Sequence, residues 1–186
     1  MIVICEGLDR CGKSTQIEKL QTYFKEKGLE TSVMHYAGVD VDDCGPFTNP
    51  AKEIASRTRY DDMLNIASHQ ADMHHVFIFD RAHLGEYVYS PMYRHYDGGY
   101  VFELETKYQN LMEKALLFVF VDSAEHLIAR DDGLSLTNDL NKKREEIARF
   151  EDAFKLSHIK HKMLIDISDK SIEDVWYIIK QRLENA

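Results

Sequence analysis

The chain has 186 residues, with 23 Lys plus Arg against 32 Asp plus Glu and a formal net charge of −9. That balance argues against a protein whose main task is gripping nucleic acid, because phosphate-backbone affinity comes from clustered Lys and Arg. No apolar run approaches the roughly 18 residues that a membrane span requires. With 44% apolar residues the chain can fill a core of its own, so a single domain over residues 1–186 is expected. The three cysteines, Cys5, Cys11 and Cys44, are too few and too odd in number for a disulfide framework, which fits a reducing cytoplasm.

In chain order, five short apolar runs stand out: residues 2–5, 32–36, 76–79, 116–121 and 162–167. They are rich in Val, Ile and Phe and nearly continuous, the pattern of strands covered on both faces of a parallel sheet. Between them apolar residues recur at spacings of three and four: Ile17, Leu20 and Phe24; Ile147, Phe150 and Phe154; Ile172, Val175, Trp176 and Ile179. These predict amphipathic helices. Strands alternating with helices predict an α/β doubly wound sheet with right-handed crossovers. Residues 38–50 carry Gly38, Gly45, Pro46 and Pro50 and predict a loop, and a long loop in a compact domain is usually functional. A second irregular stretch, residues 131–141, holds no basic residue and predicts a small lid.

Gly7 to Thr15 reads GLDRCGKST and matches GxxxxGK[ST], placed after a predicted strand and before a predicted helix. In that context the backbone amides of the Gly-rich turn point at phosphate oxygens. Lys13 supplies positive charge to the β and γ phosphates, and the Ser14 hydroxyl can ligate Mg²⁺. The base-reading Asn-Lys-x-Asp of a GTPase is missing, since Asn141-Lys142-Lys143-Arg144 lacks the Asp. Asp80 and Arg81 close the third apolar run, which places both at the C-terminal edge of the sheet, where α/β ligand sites form. A carboxylate there can hold Mg²⁺ or orient an acceptor phosphate, and an arginine can grip that phosphate bidentately.

The chain resembles the thymidylate kinases. CEGLDRCGKST is similar to their phosphate-loop signature, and FDRAHLGEYVYSPMYR begins with the Asp-Arg that closes their third strand. VFVDSAEHLIAR resembles the fourth strand and the arginine that opens the lid, REEIARFEDAF the helix after the lid, and IDISDKSIEDV the last strand and its turn. The resemblance implies a three-layer P-loop kinase fold with a five-stranded parallel sheet in the order 2-3-1-4-5. It implies ATP as phosphoryl donor, Mg²⁺ as cofactor at Ser14 and Asp80, and the 5′-phosphate of a deoxynucleoside monophosphate as acceptor. ATP would lie against Gly7, Leu8, Asp9, Arg10, Cys11, Gly12, Lys13, Ser14 and Thr15, with Arg130 packed on the adenine. Asp9 would contact the acceptor sugar and Arg81 its phosphate. Arg10 matches the arginine that one subclass places in the phosphate loop to stabilise the transferring phosphoryl. The lid stretch, where the other subclass carries it, has none. With Lys13, Asp80 and Arg81, Arg10 completes the expected catalytic set. The family is usually dimeric, so a homodimer is expected, with small-molecule nucleotides as the other partners and neither membrane nor nucleic acid among them.

The acceptor side departs from the family. The arginine-bearing loop after the second strand is replaced by His35-Tyr36-Ala37-Gly38-Val39-Asp40, and the positions that stack on and bond thymine fall on Asn65 and His69. Asn65 offers both a donor and an acceptor to a base edge. Arg57, Arg59 and Tyr60 lie just upstream and are candidates for the missing phosphate contact. The tyrosine that helps exclude ribose is Ala82. His69, His74, His75, His158 and His161 come with neither an HExxH nor a Cys pair, and read as structural or exposed histidines. The rings Tyr87, Tyr89, Tyr93, Tyr96 and Tyr100 read at least half as core or interface. Cys11 lies near a helix N-terminus, where thiol pKa values tend to fall. Two rivals to a monophosphate kinase stay open: a kinase acting on a hydroxyl of a nucleoside or of a modified base in DNA, and a nucleotide-binding module without chemistry.

Overall fold

The computed structural model describes residues 1–36, 49–70, 75–130 and 135–185. Five strands, β1 (Ile2–Gly7), β2 (Glu30–His35), β3 (His75–Asp80), β4 (Ala115–Val121) and β5 (His161–Asp166), form one parallel sheet in the order β2-β3-β1-β4-β5. Each falls on the apolar run expected of it, although β2 and β5 end one residue short of the expected ends at Tyr36 and Ile167. β1 and β4 are buried along their whole length, while the edge strands β2 and β5 are mostly half-buried or exposed. The central strands are the continuous Val/Ile/Phe runs because helices cover both of their faces.

Side-chain alternation along β1 divides the core into two layers. Ile2 and Ile4 point into one, with Tyr60, Met63, Leu64 and Ala67 of α2 (Asn49–Gln70), the helices that follow β3, and Phe150 of α7 (Leu140–Leu156). Val3 and Cys5 point into the other, with Ile17, Leu20 and Phe24 of α1 (Lys13–Glu26) and Val175 and Ile179 of α8 (Ile172–Glu184). α2 presents Tyr60, Met63, Leu64 and Ala67 at helical spacing, although polar residues dominate its sequence. Pro50 falls in its first turn, where a missing N–H costs nothing, so residues 49 and 50 belong to the helix and the predicted loop is shorter than 38–50; residues 37–48 lie outside the described residues. The predicted lid is likewise shorter at its end. Asp139 caps α7 by accepting from the Lys142 N–H at 2.9 Å, so residues 140 and 141 are helical, while 131–134 lie outside the described residues.

Between β3 and β4 the chain folds as α3 (Leu84–Tyr89), a π-type turn (Ser90–Arg94), α4 (Tyr100–Lys107) and α5 (Gln109–Met112). Tyr89, Tyr96 and Tyr100 are core residues, and Tyr87 and Tyr93 are half-buried against it. The same layer buries carboxylates. Glu86 of α3 accepts from Tyr96 Oη at 2.6 Å, Tyr100 Oη at 3.1 Å and the Arg94 guanidinium. Glu146 of α7 accepts from Tyr93 Oη at 2.6 Å and Lys143 Nζ at 2.7 Å. α6 (Ala124–Ala129) follows β4 and starts from Ser123, whose hydroxyl caps the His126 N–H. Among the described residues no helix is long and apolar enough to cross a membrane.

His83, fully buried, pairs through Nε2 with Glu105 Oε1 at 2.8 Å, and Glu105 also accepts from Ser157 Oγ at 2.7 Å and the His158 N–H at 2.5 Å. Burial alone would push the Glu105 carboxyl up, but His83 and these donors outweigh it and hold it below its ordinary value. Its contribution to stability is therefore complete above the ordinary glutamate range and lost as pH falls through the lowered native value. Glu105→Ala, which orphans the donors of His83, Ser157 and His158, is expected to lower the unfolding free energy by about 3 kcal/mol at pH 7. In parallel melts of the two proteins, that deficit should shrink as pH is taken below the ordinary glutamate range; a pH-independent deficit would show that the carboxylate charge plays no part.

Candidate active site

Parallel register brings the site together. Cys5 of β1 lies opposite Asp80 of β3, and Gly7 opposite Phe120 of β4, so the loop after β1 and the corner after β3 leave the same edge of the sheet. Gly7 has φ 130, and a Cβ there would meet the Phe120 carbonyl oxygen at 2.1 Å. Arg10 (φ 64) and Gly12 (φ 73) bend the loop into α1. At Gly12 a Cβ would meet nothing within 4 Å, so the backbone is open to close approach by a ligand. Lys13 is nearly buried and curls inside the loop, with Nζ donating to the Gly7 carbonyl at 3.0 Å and to that of Leu8. Leu8 itself sits in the core, Thr15 is half-buried, and Ser14 is exposed in the first turn of the helix. Cys11 is not the activated thiol that its place near a helix start suggested. Burial pushes it up, Lys13 offsets this only in part, and its Sγ donates to the Leu8 carbonyl at 2.8 Å.

Asp9 and Arg81 form an ion pair that joins the phosphate loop to the corner after β3. Arg81 adopts φ 66, a conformation that costs a non-glycine residue free energy and recurs at functional sites. Asp80 faces His35, with Oδ2 3.2 Å from Nδ1 at the end of the neighbouring β2. The Tyr89 hydroxyl is buried beside Arg81; burial pushes it up, and the nearby guanidinium pulls the other way. On the β4 side, Arg10 donates to the Leu127 carbonyl at 2.9 Å and to the Ser135 hydroxyl, so its guanidinium is turned toward α6. Arg130 donates to Asp122 Oδ2 at 2.7 Å and to the Arg10 carbonyl at 3.4 Å. The buried Asp122 thus holds Arg130 against the phosphate loop, a role visible in sequence only as an acidic residue closing the fourth strand.

The acceptor-side candidates separate. A cavity of about 620 Å³ opens between the end of β2 and α2, lined by His35, Tyr36, Ala55, Thr58, Arg59 and Asp62 among others. Arg59 lies over the Tyr36 ring, 5.7 Å from its centroid. Arg57 is turned the other way, onto Glu103 at 2.5 Å and the Tyr100 ring. Tyr60 is packed in the core. Asn65 and His69 are exposed one to two turns further along α2, toward the start of β3, and do not line the cavity. Among the described residues no group of three or more His, Cys, Asp or Glu could hold a metal ion. The Ser14 hydroxyl and Asp80 carboxylate are the hard oxygen donors that Mg²⁺ takes when it is held largely by substrate phosphates.

No protein-family model and no curated protein matches the chain. Among solved structures it is similar to a thymidylate kinase from Candida albicans, with a TM-score of 0.70 and 12% identity over 99% of this chain and 91% of that one. It is also similar to the YorR protein of Bacillus subtilis, solved in complex with phosphorylated GDP, with a TM-score of 0.68 and 16% identity over 99% of this chain and 96% of that one. The chain has the thymidylate kinase-like P-loop fold. Among the described glycines Gly7 has the closest approach, and both its φ and its contact with Phe120 exclude a side chain. Gly7→Ala is expected to cost more than about 3 kcal/mol, read as a lowered Tm in thermal unfolding; an unchanged Tm would contradict the described approach of β1 to β4.

Proposed function

We propose that the chain is a nucleotide kinase that transfers the γ-phosphoryl of ATP to the 5′-phosphate of a deoxynucleoside monophosphate. The observation that carries this reading is the Asp9–Arg81 pair. It sets an anion-gripping arginine directly across from the phosphate loop, an arrangement that holding one nucleotide alone does not require. The open cavity beside Arg59 supplies room for a second ligand on the same side.

In this reading the amides of residues 7–13 and the start of α1 receive the ATP phosphates. Lys13 exchanges its carbonyl partners for phosphate oxygens. Arg81 passes from Asp9 to the acceptor phosphate, and Asp9 becomes available to the acceptor sugar. Arg59 gives the acceptor side the cation that the loop after β2 lacks. Arg10 leaves the Leu127 carbonyl for the transferring phosphoryl, and Asp122 keeps Arg130 in place against the nucleotide. Mg²⁺, held by Ser14 and Asp80, would supply charge neutralisation of the phosphate oxygens. No strong base is needed, because the acceptor phosphate is already an anion, and the protein's contribution is positioning and charge. Closure of the stretch before α7 would keep water out. We place the reaction in the cytoplasm, in keeping with the buried free thiols of Cys5 and Cys11, and with a homodimer as the expected assembly.

The test is incubation with ATP, Mg²⁺ and each nucleoside, nucleoside monophosphate and single-stranded oligonucleotide in turn, with products resolved chromatographically. Guanine nucleotides belong in the panel because the YorR neighbour holds a phosphorylated GDP. Nucleoside diphosphate is the expected product; phosphorylated nucleoside or oligonucleotide would replace the reading with a hydroxyl kinase, and no transfer with a binding module. Lys13→Ala and Arg10→Ala are each expected to cut turnover by about 10³-fold or more while Tm stays within a few degrees of wild type. Unchanged turnover in Arg10→Ala would remove that residue from catalysis. Arg59→Ala should raise the acceptor KM about tenfold, or about 1.4 kcal/mol, and leave the ATP KM alone, whereas Arg57→Ala should change neither.

A further inference from the structure

β1 is buried throughout, yet it carries one ionisable group on the layer shared by Ile2 and Ile4: Glu6, 1% exposed. A buried carboxyl requires partners. The N–H groups of Ala82 and Leu84, each at 2.9 Å, and of Gly85 at 3.3 Å all donate to its Oε1, while Oε2 has no hydrogen-bond partner among the described residues. Those donors are the residues just after Arg81 and the first turn of α3. His83 stands at the N-cap of α3 but supplies no side-chain cap, because its ring is bonded to Glu105. Glu6 therefore caps α3 from another strand, one residue before Gly7 of the phosphate loop. A further backbone tie from β1 to this corner is the Arg81 N–H to the Cys5 carbonyl, at 2.9 Å.

We infer that Glu6 is a positioning residue that fixes the Asp80-Arg81 corner relative to the phosphate loop. The inference rests on the phosphoryl-transfer reading above and adds to it the residue that sets the spacing between donor and acceptor sites. Arg81 is held at φ 66, which a non-glycine residue leaves when its surroundings stop over-determining it. Three N–H groups converging on one oxygen, with a fourth tie one residue earlier, supply that over-determination. Glu6 lies beneath the corner and is given no contact with either nucleotide. Its effect should appear on the acceptor side and depend on the reach of its oxygen rather than on its charge.

Two substitutions separate reach from charge. Glu6→Gln keeps an acceptor oxygen at the same distance and loses the charge; Glu6→Asp keeps the charge and withdraws the oxygen by one methylene. Acceptor kcat/KM is expected to stay within about threefold of wild type in Glu6→Gln and to fall tenfold or more in Glu6→Asp, with the ATP KM unchanged in both. The opposite order, an unaffected Glu6→Asp, or equal losses for both nucleotides would overturn the inference. A second reading needs no variant. Amide hydrogen exchange at residues 82, 84 and 85 of the wild-type protein should be as slow as in β1, and exchange as fast as at exposed turns would overturn it. A wild type that transfers no phosphoryl to any nucleoside monophosphate would instead sink the kinase reading, and the inference with it.

Discussion

The arrangement depends on parallel pairing of β1 with β3 on one side and β4 on the other. Because β1 lies between strands that come later in the chain, its C-terminal end is a topological switch point, and loops on either side diverge to leave a crevice. The phosphate loop fills the exit of β1, the Asp80-Arg81 corner the exit of β3, and Asp122 and α6 the exit of β4. The approach of Gly7 to the Phe120 carbonyl shows how tightly the strands are drawn together at this edge. With that spacing set, side chains of ordinary length suffice to join the three exits: Asp9 to Arg81, Arg10 to Leu127, and Arg130 to the Arg10 carbonyl.

The two sides of the sheet are built from different materials. The layer between α1, α8 and the sheet is largely apolar, with Gln16 as its buried polar side chain on α1 past the phosphate loop, and α1 needs only to present its N-terminus to an anion. The opposite layer buries four carboxyl groups, Glu6, Glu86, Glu105 and Glu146, each partnered by N–H, hydroxyl or cationic donors from a different element. Directional contacts of this kind hold elements in one geometry, where an apolar interface tolerates sliding. They occur on the sheet face that packs against α2, the helix that lines the cavity proposed for the acceptor, where a small shift would change the distance between reacting groups.

Much of this was legible in the sequence for definite reasons. The three inner strands, β1, β3 and β4, are short runs rich in Val, Ile, Leu and Phe, which few other structures accommodate. GLDRCGKST is read from glycine positions that the backbone itself demands, as the φ values of Gly7 and Gly12 bear out. Asp80 and Arg81 could be placed because they end a strand whose neighbours were already assigned. What could not be read depends on which face of a helix meets which loop. Arg57 and Arg59 are two residues apart and equivalent by composition, yet one is spent on Glu103 and the other lines the cavity. Asn65 and His69 share the helix face of Thr58 and Asp62 but lie too far along it to line that cavity. In sequence Glu6 reads only as part of the phosphate-loop signature. The signal that it was more lay in its type, a carboxylate in an otherwise wholly apolar strand.

The central claim is that one polyphosphate path runs from Lys13 to Arg81 across the end of β1. A crystal structure with a bisubstrate ligand, adenosine joined to a deoxynucleoside through a phosphate bridge, addresses it most directly. The account predicts the bridge over the exit of β1, with Lys13 on the adenosine side, Arg81 released from Asp9 onto the other end, and the second nucleoside in the cavity beside Arg59. A ligand whose adenosine half fills the phosphate loop while its other half lies away from Arg81, with the Asp9 pair intact, would contradict it.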